Sequence, residues 1–355
     1  MSRFLDKRLE SLEPYTPGEQ PQGRKFVKLN TNESPYPPAP LVLEAVGKAQ
    51  LMGLNRYPDP ECKALREKIA EKHGLKAENV IVSNGSDEVL MLSFIAFCSS
   101  DIKAVFPNIS YGFYEVWCRL LGFPYEKKAL KADFTIDKND YFDCGGTVYI
   151  ANPNAPTAID MGRSAIEEII KANPDNVVVI DEAYVDFGGE SCVPLVEKYD
   201  NLLVVQTYSK SRSMAGARLG MAFGNKALIE DLERVRFSFH PYNIDNLTML
   251  TGMAAMDSAD YYAETRGRVM ATRARTEKAL SEMGFTFTKS ATNFIFAKSD
   301  KIGGEELYKK LKDRGVLIRH FTVPEIAEYN RRTVGSDEEM DVLLKEIKAL
   351  LEEEK

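Results

Sequence analysis

Val177-Val-Val-Ile-Asp-Glu-Ala-Tyr184 and Leu202-Leu-Val-Val-Gln-Thr-Tyr-Ser-Lys210 are the two stretches that decide how this chain folds. Each opens as a short aliphatic run with no polar alternation and closes in a cluster of chemically useful side chains. A strand that is apolar on both sides is covered on both faces, as in a parallel sheet packed between helices. Val80-Ile81-Val82, Ala104-Val105-Phe106, Val148-Tyr149-Ile150 and Leu219 to Phe223 repeat the pattern, with helical periodicity between them. That alternation predicts an α/β domain whose ligands gather at the carboxyl ends of its strands. Those ends run into Ser83-Asn84-Gly85-Ser86-Asp87-Glu88, Asn152-Pro153-Asn154, Asp181-Glu182-Ala183-Tyr184 and Thr207-Tyr208-Ser209-Lys210.

Outside this block the texture changes. Residues 1–30 carry Pro14, Pro17, Gly18, Pro21 and Gly23 without sustained periodicity and read as an extended arm; Pro35, Pro37, Pro38 and Pro40 prolong the irregular segment. A helix is predicted from about Glu61 to His73, with Gly74 as its stop. After about Met249 a long helical stretch reaches Met283. Phe285-Thr-Phe-Thr, Asn293-Phe-Ile-Phe-Ala and Val316-Leu-Ile-Arg319 then read as strands of a separate small sheet, before a last amphipathic helix through Met340, Leu343, Ile347 and Leu350. The expected division is an arm over 1–30, a large domain over 31–250 and a smaller α/β domain over 251–355.

Bulk composition narrows the function classes. A chain of 355 residues, 44% hydrophobic, can bury a large core without disulfides or a structural metal. A net charge of −7 argues against a nucleic-acid binder. Five cysteines, an odd number with no CxxC, read as reduced thiols of a cytoplasmic protein. Met1-Ser-Arg-Phe-Leu-Asp-Lys-Arg is too charged for a secretory signal, and the most apolar stretch, Val89 to Cys98, is far short of a membrane span. The three histidines are scattered, so no metal site is expected; neither GxGxxG nor GxxxxGK[ST] occurs.

The residues at the strand ends match the four needs of pyridoxal 5'-phosphate: an amine, an anion at the pyridine nitrogen, a donor at the phenolate oxygen and a phosphate cradle. Lys210 supplies the amine, although Ser209-Lys210 taken alone favours a solvated lysine entering a loop. Asp181 ends an apolar strand, where a carboxylate needs a cationic partner such as a protonated pyridine; a helix cap or an arginine ion pair is the plain alternative. Tyr184 can reach the same ring, or is a packed tyrosine with a wet hydroxyl. Gly85-Ser86-Asp87 lies between a strand and a helix, where backbone N–H groups face an anion, unless Ser86 is only a cap. Ser209 and the planar fork of Arg218 form the other half of the cradle.

Taken together, these residues resemble the fold-type I aminotransferases. Leu29-Asn-Thr-Asn-Glu-Ser-Pro-Tyr36, Asn55-Arg-Tyr-Pro-Asp59, Gly85-Ser-Asp-Glu88, Tyr111-Gly-Phe-Tyr114, Asp181-Glu-Ala-Tyr184, His240-Pro-Tyr-Asn243, Asn293-Phe294 and Arg331-Arg-Thr-Val-Gly335 are similar, in order, to the motifs of the histidinol-phosphate aminotransferase family. The resemblance implies a large domain with a mostly parallel sheet between helices and a smaller C-terminal α/β domain. It also implies a homodimer with sites shared across the interface, acting on small amino-acid and phosphorylated-amine substrates. Lys210 would form the Schiff base and then act as general base and acid, with Asp181 stabilising charge at the ring. Tyr111 would stack on the ring, and Tyr57 would reach the partner's cofactor phosphate. Arg319 and Arg331 would hold the substrate's anionic end, Asn32 would belong to the substrate-binding group, and Tyr15 would cover the substrate from the other subunit. Glutamate would donate the amine to imidazole acetol phosphate.

The chain departs from the pattern in one loop. The family's Asn-Pro-Thr-Gly is Ala155-Pro156-Thr157-Ala158, so the asparagine expected at the phenolate oxygen is missing; either Asn154 substitutes after a small shift or Tyr184 suffices there. Ala158 in place of glycine suggests a backbone without positive φ, or an altered turn. Residue 34 is Ser where Asn is usual. An aromatic aminotransferase or a phosphothreonine decarboxylase would share every cofactor residue. A binding module that senses pyridoxal phosphate would need a DNA-binding domain, for which the arm is too short.

Overall fold

Strand Val178–Asp181 is buried at every position and lies in the middle of a seven-stranded sheet. In spatial order the strands are Val80–Asn84, Leu219–Gly224, Leu202–Thr207, Val178–Asp181, Gly146–Ala151, Lys103–Pro107 and Tyr125–Lys128. All pair in parallel except Leu219–Gly224, which is antiparallel to both its neighbours. The structure, a computed structural model, describes residues 4–21, 24–49 and 55–353; residues 1–3 and Gly23 of the arm lie outside these.

Both faces of the sheet are covered because successive side chains alternate between them. Val148, Ile150, Ile180 and Val204 join a core with helices Lys63–His73, Arg163–Lys171 and Asn246–Met256. Tyr149, Val179, Leu203 and Val205 point the other way, toward helices Gly85–Phe97, Phe113–Leu121 and Lys226–Phe239. This double burial is why these strands read as unbroken apolar runs. Helix Lys63–His73 stops where Gly74 turns left-handed at φ 69° and its N–H caps Ala70 and Glu71 carbonyls.

A second core lies under a four-stranded antiparallel sheet, ordered Arg319–His320, Asn330–Thr333, Phe294–Ser299 and Phe285–Phe287. Helices Ala259–Glu282, Gly304–Asp313 and Asp337–Glu353 pack on it through Leu280, Leu307, Leu311, Leu343 and Ile347. The run Val316 to Arg319 is two short strands rather than one: Val316–Leu317 pairs in parallel with Val27–Lys28, and Arg319–His320 joins the four-stranded sheet. Leu29, at the end of the arm, sits in this second core. The helical stretch from Met249 to Met283 is broken at Asp257 and Ser258. Its first part, Asn246–Met256, belongs with the large sheet, so a division at 250/251 would cut through a helix.

One glycine joins fold to site. A Cβ on Gly220 would overlap the main-chain carbonyl carbon of Gly85 and nitrogen of Ser86, so only glycine lets that loop lie against the strand. Gly220→Ala is expected to destabilise the protein by about 1–3 kcal/mol, the usual cost of overpacking. Urea unfolding at constant slope measures it, and a change within error would show that the loop moves freely.

Candidate active site

The carboxyl ends of the central strands open into a cavity of about 350 Å³ lined by Ser86, Asp87, Tyr111, Asp181, Tyr184, Ser209, Lys210 and Arg218. Topology accounts for the convergence. Parallel neighbours deliver Asp181 and, one strand over, Thr207 to the same edge, and the chain turns there into Ser209 and Lys210.

Asp181 forms one end. It is 6% exposed, and its carboxylate accepts from Ala183 N–H and from the Tyr114 hydroxyl, both at 3.1 Å. Both donors are neutral, and burial pushes the carboxyl up to about 6. A carboxylate this deep, with no salt-bridge partner among the described residues, suits a cationic ring atom.

Tyr111 forms a wall. Its hydroxyl donates to Asp87 Oδ1 at 2.6 Å, and Tyr114 meets it edge-on at 5.7 Å, so the ring is held at both ends. Asp87 also pairs with Arg218 Nη2 at 3.1 Å. Arg218 adopts φ 51°, in the left-handed region, and its Nη1 lies 3.5 Å from Ser209 Oγ. A Cβ on Gly85 would stand 2.6 Å from Arg218 Nη2, so the close approach of guanidinium and loop requires glycine there. With the amino end of helix Gly85–Phe97, these groups make a corner of the cavity suited to an anion. Lys210 Nζ donates to Thr31 O at 3.3 Å and lies 5.8 Å from the Tyr184 ring centre.

A second cavity of about 500 Å³ adjoins the first, sharing Thr31, Tyr111, Ala155, Tyr184 and Lys210, and contains Tyr15, Asn32, Arg319 and Arg331. Arg331 is one of the charged groups that line it, with Arg319, Lys210 and Glu115. Its Nη2 donates to Asn30 O at 3.1 Å, its Nε has no partner, and it pairs with no carboxylate among the described residues. The guanidinium lies 5.3 Å from the Phe294 ring centre and 5.8 Å from that of Phe321. An arginine placed so is a receptor for an anion.

Comparison with known proteins agrees with this geometry. Residues 24–347 match the family described as aminotransferase class I and II. The histidinol-phosphate aminotransferase of Brachyspira hyodysenteriae is 47% identical over 352 residues, 99% of each chain. That of Clostridium acetobutylicum is 45% identical over 98% of this chain and 99% of its own. The chain belongs to the histidinol-phosphate aminotransferase family. A solved family member from Sinorhizobium meliloti, in complex with pyridoxal-5'-phosphate, superposes with a TM-score of 0.90 over 99% of both chains at 22% identity. The L-threonine-O-3-phosphate decarboxylase of Porphyromonas gingivalis also superposes, at 0.78 over 92% of this chain and all of its own with 19% identity, so the fold alone does not separate the two reactions.

Against this family frame, several residues lie elsewhere than their motifs imply. Asn154 is not in the cofactor cavity. Its Nδ2 donates to Ile109 O at 3.0 Å and Thr157 Oγ1 at 2.8 Å, and its Oδ1 accepts from Ser110 Oγ at 2.8 Å. The amide is committed to holding the loop, and Ala155 faces the cavity instead. Ala158 keeps φ at 66°, so the glycine's left-handed turn survives with alanine, at a cost of roughly 1–2 kcal/mol in backbone strain. Tyr15 lies in its own chain's cavity, stacked on Phe113 at 4.2 Å, and Arg319 Nη2 donates to Thr16 O at 3.3 Å. Tyr57 is outside both cavities, 80% exposed and stacked on Tyr242 at 4.5 Å. Arg332, next to Arg331, points to the opposite face, fully buried with its guanidinium 5.1 Å from the Phe285 ring centre.

Two residues had no role assigned from sequence: Thr207 lines the cavity, and Tyr114 is buried behind it on Asp181. Tyr114 sits in the quoted motif, three residues after Tyr111, on the buried face of its helix. Thr207 ends its strand one turn before Ser209, whose oxygen accepts from Thr207 Oγ1 at 3.0 Å.

The raised carboxyl makes a pH prediction for the cofactor-free protein. Folding favours the protonated form of Asp181, so its stabilising contribution is complete below pH 3.8 and is lost as pH rises through about 6. Asp181→Asn removes this loss. It is expected to be more stable than the parent at pH 8, on the order of 3 kcal/mol, and to converge on it toward pH 4. Glu182, pushed up to about 7 by burial, is common to both proteins and cancels. Denaturant unfolding at the two pH values measures the difference; equal stability at pH 8 would contradict the assignment.

Proposed function

We propose that the chain is a pyridoxal-phosphate-dependent transaminase that moves an amino group between glutamate and imidazole acetol phosphate, yielding histidinol phosphate for histidine biosynthesis. One observation carries the reading. A lysine amine, a buried carboxylate with no salt-bridge partner among the described residues and a corner suited to an anion share one cavity, and an unpaired arginine waits in the adjoining one. The names of the 45–47% identical relatives support the substrate pair.

The residues fit the cofactor. Asp181 would hold its ring nitrogen, Tyr111 one ring face, and Tyr184 its phenolate oxygen. Gly85, Ser86, Ser209 and Arg218 would hold its phosphate, with Asp87 fixing Tyr111 and Arg218. When bound, the cofactor supplies an electron-withdrawing ring conjugated to the substrate's amino carbon. Lys210 would hold it covalently, yield that place to the substrate amine, and then carry a proton from the substrate's amino-bearing carbon as general base and return it as general acid. Arg331 and Arg319 would hold a carboxylate in one half-reaction and a phosphate in the other, since a guanidinium pairs with either. Tyr15 completes the substrate's surroundings.

A homodimer in the cytoplasm completes the reading. Leu43, Val46 and Leu247 line a cavity that also contains Arg218 and Asn243, and exposed Tyr57 stacks on Tyr242, the residue before Asn243. A second copy seated there would bring its own Tyr57 to the phosphate corner. All five cysteines are free and four are buried, as suits a reducing compartment. No helix among the described residues is long and apolar enough to cross a membrane.

Lys210→Ala is expected to abolish turnover and the visible absorbance of the lysine-bound cofactor; retained turnover would overturn the reading. Arg331→Met should lower kcat/KM about 10²-fold or more for both 2-oxoglutarate and histidinol phosphate, while Arg332→Met, on the other face, leaves it within a few-fold. A panel of amino donors decides the substrate: preference for phenylalanine or tyrosine, or release of carbon dioxide, would reassign it.

A further inference from the structure

Asn32 is a poor substrate ligand because its polar atoms are already used. It is 1% exposed and held at φ 55°. Its main-chain N–H donates to Thr333 Oγ1 at 2.9 Å, and Asn293 Nδ2 donates to its carbonyl at 3.1 Å. The Thr333 hydroxyl, having accepted the main-chain N–H, gives its own proton to Asn32 Oδ1 at 3.2 Å. With Oδ1 turned to Thr333, the other side of the amide faces Tyr184, and Nδ2 donates to the Tyr184 hydroxyl oxygen at 2.9 Å.

A phenol has one proton. An oxygen that accepts from Asn32 keeps that proton to give elsewhere, and no acceptor among the described residues takes it. The ring cannot swing away easily, since Phe294 meets it edge-on at 5.1 Å and 90°. Tyr184 therefore presents a donor to the cavity it shares with Lys210. Ala155, on the same wall, belongs to an apolar cluster with Ala158 and Phe294 and offers no hydrogen bond.

We infer that Asn32 and Thr333 are positioning residues that fix Tyr184 as the proton donor to the cofactor's phenolate oxygen, a task that falls to this relay because residue 155 is alanine. The inference rests on the cofactor assignment above. It predicts a direction: a donor to the phenolate favours the more anionic, deprotonated state of the lysine-bound cofactor, so losing the donor raises the pH at which its visible band titrates.

Asn32→Asp tests it with little change of shape. The substituted carboxylate can only accept, so it would draw the Tyr184 proton away from the cavity. Cofactor-loaded parent, Asn32→Asp, Tyr184→Phe and the double variant are titrated by absorbance without substrate. Asn32→Asp is expected to raise the midpoint by about one pH unit, and the double variant to titrate with Tyr184→Phe alone. Thr333→Val, which frees the amide to turn, should raise it by less and serves if the aspartate variant does not fold. An unmoved midpoint in both relay variants overturns the inference. So does an Asn32→Asp shift of equal size with Phe at 184, because the new charge would then act without the tyrosine. If the parent shows no Lys210-dependent visible band, the cofactor assignment itself fails; a normal band with an unmoved midpoint sinks only the relay.

Discussion

The Asp181 carboxylate, buried in the middle of a parallel sheet with only neutral donors, is the constraint on which the site turns. Two neutral hydrogen bonds do not offset the loss of water around a charge, and the carboxyl stays near 6. A fold that keeps such a group needs a cationic partner in use. The strand order then dictates where the rest must stand. The parallel neighbour brings the chain to Ser209 and Lys210 on one side, and Arg218 immediately precedes the antiparallel strand beyond it.

The small sheet adds the substrate end by simple alternation. Strand Asn330–Thr333 sends Arg331 to the cavity and Arg332 to the core, so two adjacent arginines have opposite fates. Arg332 is buried with no carboxylate partner among the described residues, and burial lowers its pKa to about 9. The same strand carries Thr333, which grips Asn32 and through it Tyr184. The cavity-lining arginine and the threonine tied through Asn32 to Tyr184 thus share one short piece of backbone.

Much of the fold was legible because double burial writes itself as apolar runs, and each strand of the parallel core was visible in this way. Strands with other patterns were not. Tyr125–Lys128 is an edge strand whose charges suit an unpaired side, and Asn330–Thr333 hides behind two arginines. In the site, Lys210, Asp181, Tyr184, Ser209 and Arg218 stood in motifs at strand ends and do share one cavity. Asn154 misled because a polar residue at a strand end can serve the loop as readily as the ligand. Tyr114 was missed because a tyrosine on a buried helix face looks like core until its hydroxyl is seen on Asp181.

By itself the sequence determined the parallel sheet, the edge at which chemistry collects, the lysine and its carboxylate, and the family. These follow from burial period and from residue type at strand ends, both local properties. Tertiary structure alone decided which of Arg331 and Arg332 faces the cavity, that Ala155 rather than Asn154 lines the cavity with Lys210, that Tyr15 lines a cavity of its own chain, and which way the Asn32 amide points. Each of those depends on which group across the fold supplies a hydrogen-bond partner or a space, and spacing along the chain carries no record of that.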